Sequence, residues 1–396
     1  MILIQGCKVW TGVPGQPAAT RDILIEGEVI AEVGEPGALA PGDQDFKVIH
    51  ASGKTAIPGL IDAHVHVSLD GRSADPVHEM LRDGPYVVLL KAAGFAREYI
   101  RAGITTVRDM GGFEGIDLAL KKCVSGGLVP GPRLLVSGKV LCMTGGHGYF
   151  FGLEVDGPDE VRKGARTQLK AGADVVKVMA TGGVLTPGVE PGSPQLSYEE
   201  IRAAVEEAHR AGRRAASHAQ GTQGIKDSIR AGVDTVEHGI FLDDEAITMM
   251  LDSGVFLIPT LVAPQRIVEG GREAGIPEFA VRKARDVWPR HLESVAKAYQ
   301  AGVKIAAGTD AGTPLNPHGS LVKELELLTR IGMSREEALA AATRVAAEAL
   351  GIDAQVGTLE KGKIADVVLL DGDPLADLSN LERVVCVIQR GQVVYG

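Results

Sequence analysis

The stretch GLIDAHVHV, residues 59 to 67, places two histidines two positions apart at the end of an apolar run. In a β-strand, residues i and i+2 point to the same face. His64 and His66, behind Gly59, Leu60 and Ile61, therefore have the placement of two metal ligands at the end of a buried strand. Two satisfied interior histidines fit the same nine residues equally well, so the rest of the chain has to separate the two.

Seven more short strand signals follow the first, LIDAHVHV. They are TTVRDM (105–110), RLLVSGKVL (133–141), DVVKVMA (174–180), RAASHA (214–219), DTVEHG (234–239), VFLIPT (255–260) and VKIAAGTD (303–310). Helix patterns lie between most of them. SYEEIRAAVEEAHRAG opens on Ser197 with Glu200 three on, and SREEALAAATRVAAEALG opens on Ser334 with Glu337 three on and ends at Gly351; both openings are capping boxes. Four strands are preceded by Ala-Gly, at 102–103, 171–172, 231–232 and 301–302, where the glycine suits a helix C-cap. Eight short apolar strands alternating with helices predict a (β/α)8 TIM barrel over residues 57–356. The competing architecture is a doubly wound open sheet. No GxGxxG or GxxxxGK[ST] follows a strand, which weakens its nucleotide-binding version.

Both ends of the chain differ from this middle. MILIQGCKVW, DILIEGEVIAEVG and FKVIHASGKTAIPG at the start, and GTLEKGKIADVVLLDGDP and RVVCVIQRGQVVYG at the end, are β-rich and punctuated by Gly and Pro. They predict one small β-domain built from residues 1–56 plus 357–396. Composition bounds the function. The 396 residues are 45% hydrophobic and 23% charged, as in globular enzymes, and a net charge of −10 argues against nucleic acid or an anionic membrane as partner. The start has no basic n-region or cleavage site, and no run approaches the roughly 18 apolar residues of a membrane span, so a cytoplasmic protein acting on a small molecule is expected. Cys7, Cys123, Cys142 and Cys386 are far apart, form no CxxC pair and are expected to be buried thiols.

In a (β/α)8 barrel the chemistry sits at the C-terminal ends of the strands. There the sequence places His64 and His66 (strand 1), Lys177 (strand 4), His218 (strand 5), His238 (strand 6) and Asp310 (strand 8). Six metal-ligand or acid–base side chains at one rim are hard to credit to chance. The rim loops 181–197 and 110–115 are rich in Gly and are candidates to shape a substrate pocket. Arg108, ending strand 2, is a candidate partner for a substrate carboxylate, or for a buried acid. His318, in TPLNPHGS after strand 8, is a candidate substrate-facing or supporting residue. His50, His78, His209 and His291 are assigned ordinary structural roles.

The set PGLIDAHVH, VVKVMATGG, SHAQG, VEHG, GTDAGTP and GTLEKGKIADVVLLDGDP, in this order over nearly the whole chain, resembles the amidohydrolase superfamily of metal-dependent hydrolases, within it the imidazolonepropionase-like and Xaa-Pro dipeptidase-like group. The resemblance implies that the terminal strands form a β-sandwich beside the barrel. It implies two divalent metal ions: His64, His66 and Asp310 on one, His218 and His238 on the other, with Lys177 bridging them as a carbamate made with CO2. A lysine ammonium among imidazoles and cations would be repelled; burial and neighbouring cations lower its pKa and expose the neutral amine that carboxylation needs. The donor set favours zinc, with manganese, cobalt and iron as alternatives. The implied activity is hydrolysis of a C–N bond in a small substrate such as an N-acyl amino acid or dipeptide, by a metal-bridging hydroxide, with Asp310 passing its proton to the leaving nitrogen. His147, in the MTGGHGYFFG loop after strand 3, is expected to donate to the substrate carbonyl or oxyanion. Gln220 stands where several peptidase relatives carry a substrate-holding tyrosine, which opens arylamide, carbamate or urea substrates. Lactonase or esterase chemistry, and a non-catalytic protein of the same fold, are the remaining alternatives; a homo-oligomer is expected.

Overall fold

The computed structural model describes residues 1–39 and 46–396. The two β-rich ends build one eight-stranded sheet. Its strands are Ile2–Val9, Ala19–Glu26, Val29–Gly34, Lys47–His50 and Thr55–Pro58 from the first part of the chain, and Val367–Leu370, Val384–Gln389 and Gln392–Tyr395 from the last. The two ends meet at Thr55–Pro58, which pairs parallel with Ile2–Val9 and antiparallel with Val367–Leu370. Alternate residues of these strands, among them Ile2, Ile4, Ile23, Ile25, Val367 and Leu369, form an apolar core of their own. A sheet with this one-sided packing fits a β-sandwich.

Residues between these ends form an α/β unit of parallel strands and helices. Leu60–Val65, Ile104–Asp109 and Arg133–Val136 make one parallel sheet; Leu153–Glu154, Leu141–Cys142, Val175–Met179, Arg214–Ala219, Thr235–His238 and Phe256–Ile258 make a second, in that spatial order. Helices return the chain between most of these strands, but none separates Arg133–Val136, Leu141–Cys142 and Leu153–Glu154. The helix ends are set as the sequence predicts. Both capping boxes form, Ser197 with Glu200 and Ser334 with Glu337. Gly103, Gly172, Gly232 and Gly302 all adopt positive φ, between 75° and 103°, the left-handed conformation that costs glycine nothing.

Three expectations change. RLLVSGKVL is not one strand: it breaks after Val136, where Gly138 turns at φ 66°, and resumes as Leu141–Cys142. The helix expected from Ser334 to Gly351 is two, Arg335–Ala341 and Arg344–Leu350, parted at Thr343, whose φ of −135° and ψ of −95° are not helical. VKIAAGTD is not a regular strand. Ala307 N–H turns aside to Ala341 O, and Asp310 sits at φ 57°, so the ladder is interrupted.

The expected eight-stranded barrel is consequently not one continuous ladder, although hydrogen bonds cross both gaps between the parallel sheets. On one side Asp174 N–H donates to Val136 O at 2.8 Å. On the other, residues 304–311 lie between Phe256–Ile258 and Leu60–Val65. Leu257 N–H donates to Lys304 O, Ala63 N–H to Ala307 O at 3.0 Å, and Asp310 N–H to His64 O at 2.7 Å. Among the described residues no helix is long and apolar enough to cross a membrane.

Candidate metal centre

The strand Leu60–Val65 carries His64 and, one residue beyond its end, His66. Gly308 lets residues 304–311 approach it: a Cβ there would stand 2.8 Å from His64 Cβ. Asp310 is thereby brought to both imidazoles, its Oδ1 lying 3.6 Å from His64 Nε2 and 3.2 Å from His66 Nε2. One ligand atom from each of the three lies within 4.8 Å of the others. His238 and His218, at the ends of adjacent strands, close the cluster. The His218 and His238 rings are 4.6 Å apart, and His64 and His238 are 5.1 Å apart. Lys177, on the strand Val175–Met179, is 1% exposed. All six side chains line one cleft.

The outer contacts of the four histidines say what their inner nitrogens are. His64 Nδ1 donates to Glu237 Oε2 at 2.7 Å, His66 Nδ1 to Gly111 O at 3.4 Å, and His218 Nε2 to Gly182 O at 3.1 Å. His238 Nδ1 meets Thr260 Oγ1 at 2.7 Å. A neutral imidazole has one N–H. With that hydrogen spent on a carboxylate or a carbonyl, the rings of His64, His66 and His218 keep a lone pair for the cluster, as metal-binding histidines do, and His238 does the same with Thr260 Oγ1 as its acceptor. Burial, reinforced by neighbouring positive groups, pushes His64, His218 and His238 well below the ordinary histidine pKa, so they are neutral. Burial would raise Asp310, but the polar groups gathered around it, His66, His64 and Lys177, outweigh that and hold the carboxyl below its usual range. Lys177 has no hydrogen-bond or ion-pair partner among the described residues, and burial lowers it to about 8. Four lone-pair nitrogens, one ionised carboxylate and one unpartnered amine fit divalent cations. Positive φ at His238 (72°), Thr260 (52°) and Asp310 (57°) marks strain concentrated at this rim.

His147 also faces the cleft, its ring 4.4 Å from that of His218. Thr186 Oγ1 accepts Gly148 N–H at 3.1 Å and lies 2.8 Å from His147 Nδ1. With the hydroxyl hydrogen given to Nδ1, Nε2–H is the free donor. Burial lowers His147 to about 3, so that donor is neutral over the working pH range. Gly183 passes so close that a Cβ would stand 2.4 Å from His147 Nε2.

Gln220 lines the cleft as well. Arg108 and His318 do not. Arg108 is buried beneath His64, donating to Glu237 Oε1 at 2.8 Å, Ala63 O at 2.7 Å and Thr235 Oγ1 at 3.1 Å, so of its two candidate partners the buried acid holds it. His318 is engaged at both nitrogens, by Tyr99 Oη at 2.6 Å and Leu69 O at 2.8 Å, and stacks on Phe95. It supports the segment after His66 rather than facing a substrate. Conversely His291, given a structural role from sequence, lines the cleft and donates Nε2–H to His238 O at 2.9 Å.

Several residues that shape the site were not singled out from the sequence. Glu237, fully buried, joins His64, Arg108 and Thr235. Lys283, reaching in from the helix Glu278–Ala301, donates to the carbonyls of Gly183, Thr186 and Val189 and ties down the loop after Lys177. Asp62 receives Thr309 N–H and Oγ1–H, and Asp109 receives Val67 N–H and Gly111 N–H; burial pushes both carboxyls up to about 7.

Comparison with known proteins agrees with this chemistry. The sequence pattern of the Amidohydrolase family matches residues 55–394. The chain is 31% identical to ochratoxinase of Aspergillus niger over 396 aligned residues, covering 92% of this chain and 80% of that one. Its fold superposes with a TM-score of 0.90 on a Xaa-Pro dipeptidase crystallised with methionine in its active site, at 32% identity and with both chains fully covered. A prolidase-like structure from Bifidobacterium longum gives 0.87 at 32% identity, with 100% of this chain and 94% of that one covered. The chain belongs to the amidohydrolase family and is a hydrolase acting on carbon–nitrogen bonds.

Proposed function

We propose that the protein is a binuclear metal-dependent hydrolase of a small amide-like substrate, built on a (β/α)8 barrel whose ring is completed by residues 304–311. The observation that carries this is the orientation of the four histidines. Each has one nitrogen occupied from outside the cluster, and all four rings line one buried cleft with Asp310, whose carboxylate comes together with His64 and His66. One histidine held this way is ordinary; four of them around one lysine and one carboxylate are what the reading rests on.

His64, His66 and Asp310 would hold one ion, and His218 and His238 the other. Lys177 lies buried in the same cleft without a partner; as a carbamate it would become the anion that bridges the two. Divalent cations, with zinc the best match to this donor set, would supply a hydroxide near neutral pH and polarise the scissile carbonyl.

The chain supplies the rest. His147 Nε2–H is placed to donate to the carbonyl oxygen as it gains charge. The Asp310 carboxylate takes the proton of the attacking water and delivers it to the leaving nitrogen. The loop held by Lys283 puts Val184 and Leu185 over the cleft and limits bulk water.

Metal analysis of the protein as purified, paired with turnover of a panel of amides, dipeptides, carbamates and lactones, tests the reading. About two zinc ions per chain with amide turnover supports it. One ion or none, with no amide turnover, rejects it.

A further inference from the structure

The substrate groups that flank the scissile bond must lie against the wall of the cleft, and that wall carries no charge. Above the ligand cluster it is made by side chains such as Leu69, Phe150, Val184, Leu185, Ile240 and Ile267. Lys177 and the histidines of the lining belong to the cluster or sit directly against it.

Four cations from the elements around the cleft are already committed. Arg108 is bonded to Glu237 beneath the cluster. Lys283 is spent on three loop carbonyls. Arg72 pairs with Glu98, and Arg282 pairs with Glu190 at 2.7 Å on the surface. A second hollow adjoins the cleft and shares Phe150 and Leu185 with it. Its only carboxylate or cationic side chain other than His78 is Asp75, which is acidic. The chain as a whole carries −10.

What the wall does carry is a neutral amide. Gln220 is 5% exposed, and its main chain is fixed at both ends, N–H to Thr181 Oγ1 and C=O from Phe241 N–H, each at 2.9 Å. Its side-chain Oε1 is buried without a hydrogen-bond partner. His291, fully buried, likewise has a partnerless Nδ1. Its Nε2–H is spent on His238 O, so that Nδ1 is an acceptor. Buried polar atoms are normally paired, so two orphaned acceptors on one cleft mark where a ligand's N–H groups belong.

We propose that the site selects an uncharged secondary amide, carbamate or urea with apolar groups on both sides of the scissile bond, held through its N–H by Gln220, and discriminates against substrates that carry a free carboxylate beside that bond. This rests on the C–N hydrolase assignment above. In the amide case water adds across the C–N bond: the acyl carbon gains the hydroxyl, the leaving nitrogen gains the proton, and a neutral amine and a carboxylic acid depart.

A matched pair tests it on the metal-loaded enzyme: N-benzoyl-phenethylamine and N-benzoyl-L-phenylalanine, which differ only in the carboxylate. A carboxylate desolvated against apolar groups without a cation is costly, so kcat/KM should favour the neutral compound by about a hundredfold or more. Equal or better turnover of the acid overturns the proposal and would mean that a cation reaches the site from elsewhere. If neither is cleaved, the hydrolase assignment for such amides fails on its own. Equilibrium binding of the same two compounds then still decides selectivity: tighter binding of the neutral one supports it and tighter binding of the acid overturns it. Gln220→Arg places a guanidinium where the amide stands and should move the preference toward the acid by roughly tenfold or more; an unchanged ratio removes Gln220 from the specificity wall.

Discussion

Replacing Glu237 by Gln removes one charge and one acceptor from a fully buried position and leaves the shape intact. The carboxylate receives His64 Nδ1–H on one oxygen and Arg108 Nη2–H on the other, at 2.7 and 2.8 Å. An amide can serve only one of these donors with its oxygen. If the NH2 faces His64, Nδ1 must become an acceptor, and the ring hydrogen moves to Nε2, the nitrogen directed at Asp310. If the NH2 faces Arg108, two donors oppose each other and the guanidinium is left buried without a counter-charge. The first outcome removes a metal ligand, and loss of such an outer partner costs about 10- to 100-fold in metal affinity. The second resembles breaking a buried ion pair, about 3–5 kcal/mol of stability. Chelator competition monitored by metal release, with denaturant unfolding of the metal-free protein beside it, reads both. The expected result is weaker metal retention, lower metal-free stability, or a share of each. Unchanged chelator resistance together with an unchanged unfolding midpoint would show that Glu237 orients nothing.

Four further outcomes are expected. His64→Ala should lose metal and activity together while the circular dichroism of the fold persists; retained metal with turnover would remove His64 from the centre. Lys177→Ala should drop metal content from about two ions to about one per chain, and full activity in that variant would remove the bridge. Gly183→Ala drives a methyl into His147 Nε2 and should lower kcat by about 10²–10³, the worth of one oxyanion donor, with a smaller change in KM. Acid should destabilise the protein through His318, which burial lowers to about 4 from an unfolded value near 6.5. The unfolded chain takes the proton first, so this contribution is complete above pH ~6.5 and is lost as pH falls toward 4. At about 1.4 kcal/mol per pH unit, that is roughly 3 kcal/mol in denaturant titrations. A His318→Gln variant should show a shallower fall, and an equally steep one would mean His318 is protonated in the folded state.

The ligand set was readable because strands put chemistry at their ends and because His, Lys and Asp there have few other uses. The same rule hid Glu237. Two-residue alternation sends Glu237 and His238 to opposite faces, yet the positive φ at His238 turns the chain so that both serve the centre. Lys283 and Thr186 were invisible for another reason. They act on backbone carbonyls and on an imidazole far off in sequence, and no local pattern records such partners. Arg108 read equally well as a substrate contact or a buried pair; only the position of Glu237, on a strand of the other parallel sheet and 129 residues away in sequence, decides between them. The eighth strand kept its composition but lost its regularity, because a segment that must bring Asp310 to two histidines cannot also keep an unbroken ladder.

The terminal sheet has a consequence for biosynthesis. Thr55–Pro58 belongs to that sheet, and after Gly59 alone the chain enters Leu60–Val65, which ends at the metal cluster. The partner of Thr55–Pro58 on one side is Val367–Leu370, more than three hundred residues later. A nascent chain therefore exposes His64 and His66 early but cannot brace their strand until the last segments have left the ribosome, so metal capture is expected to follow release rather than accompany synthesis.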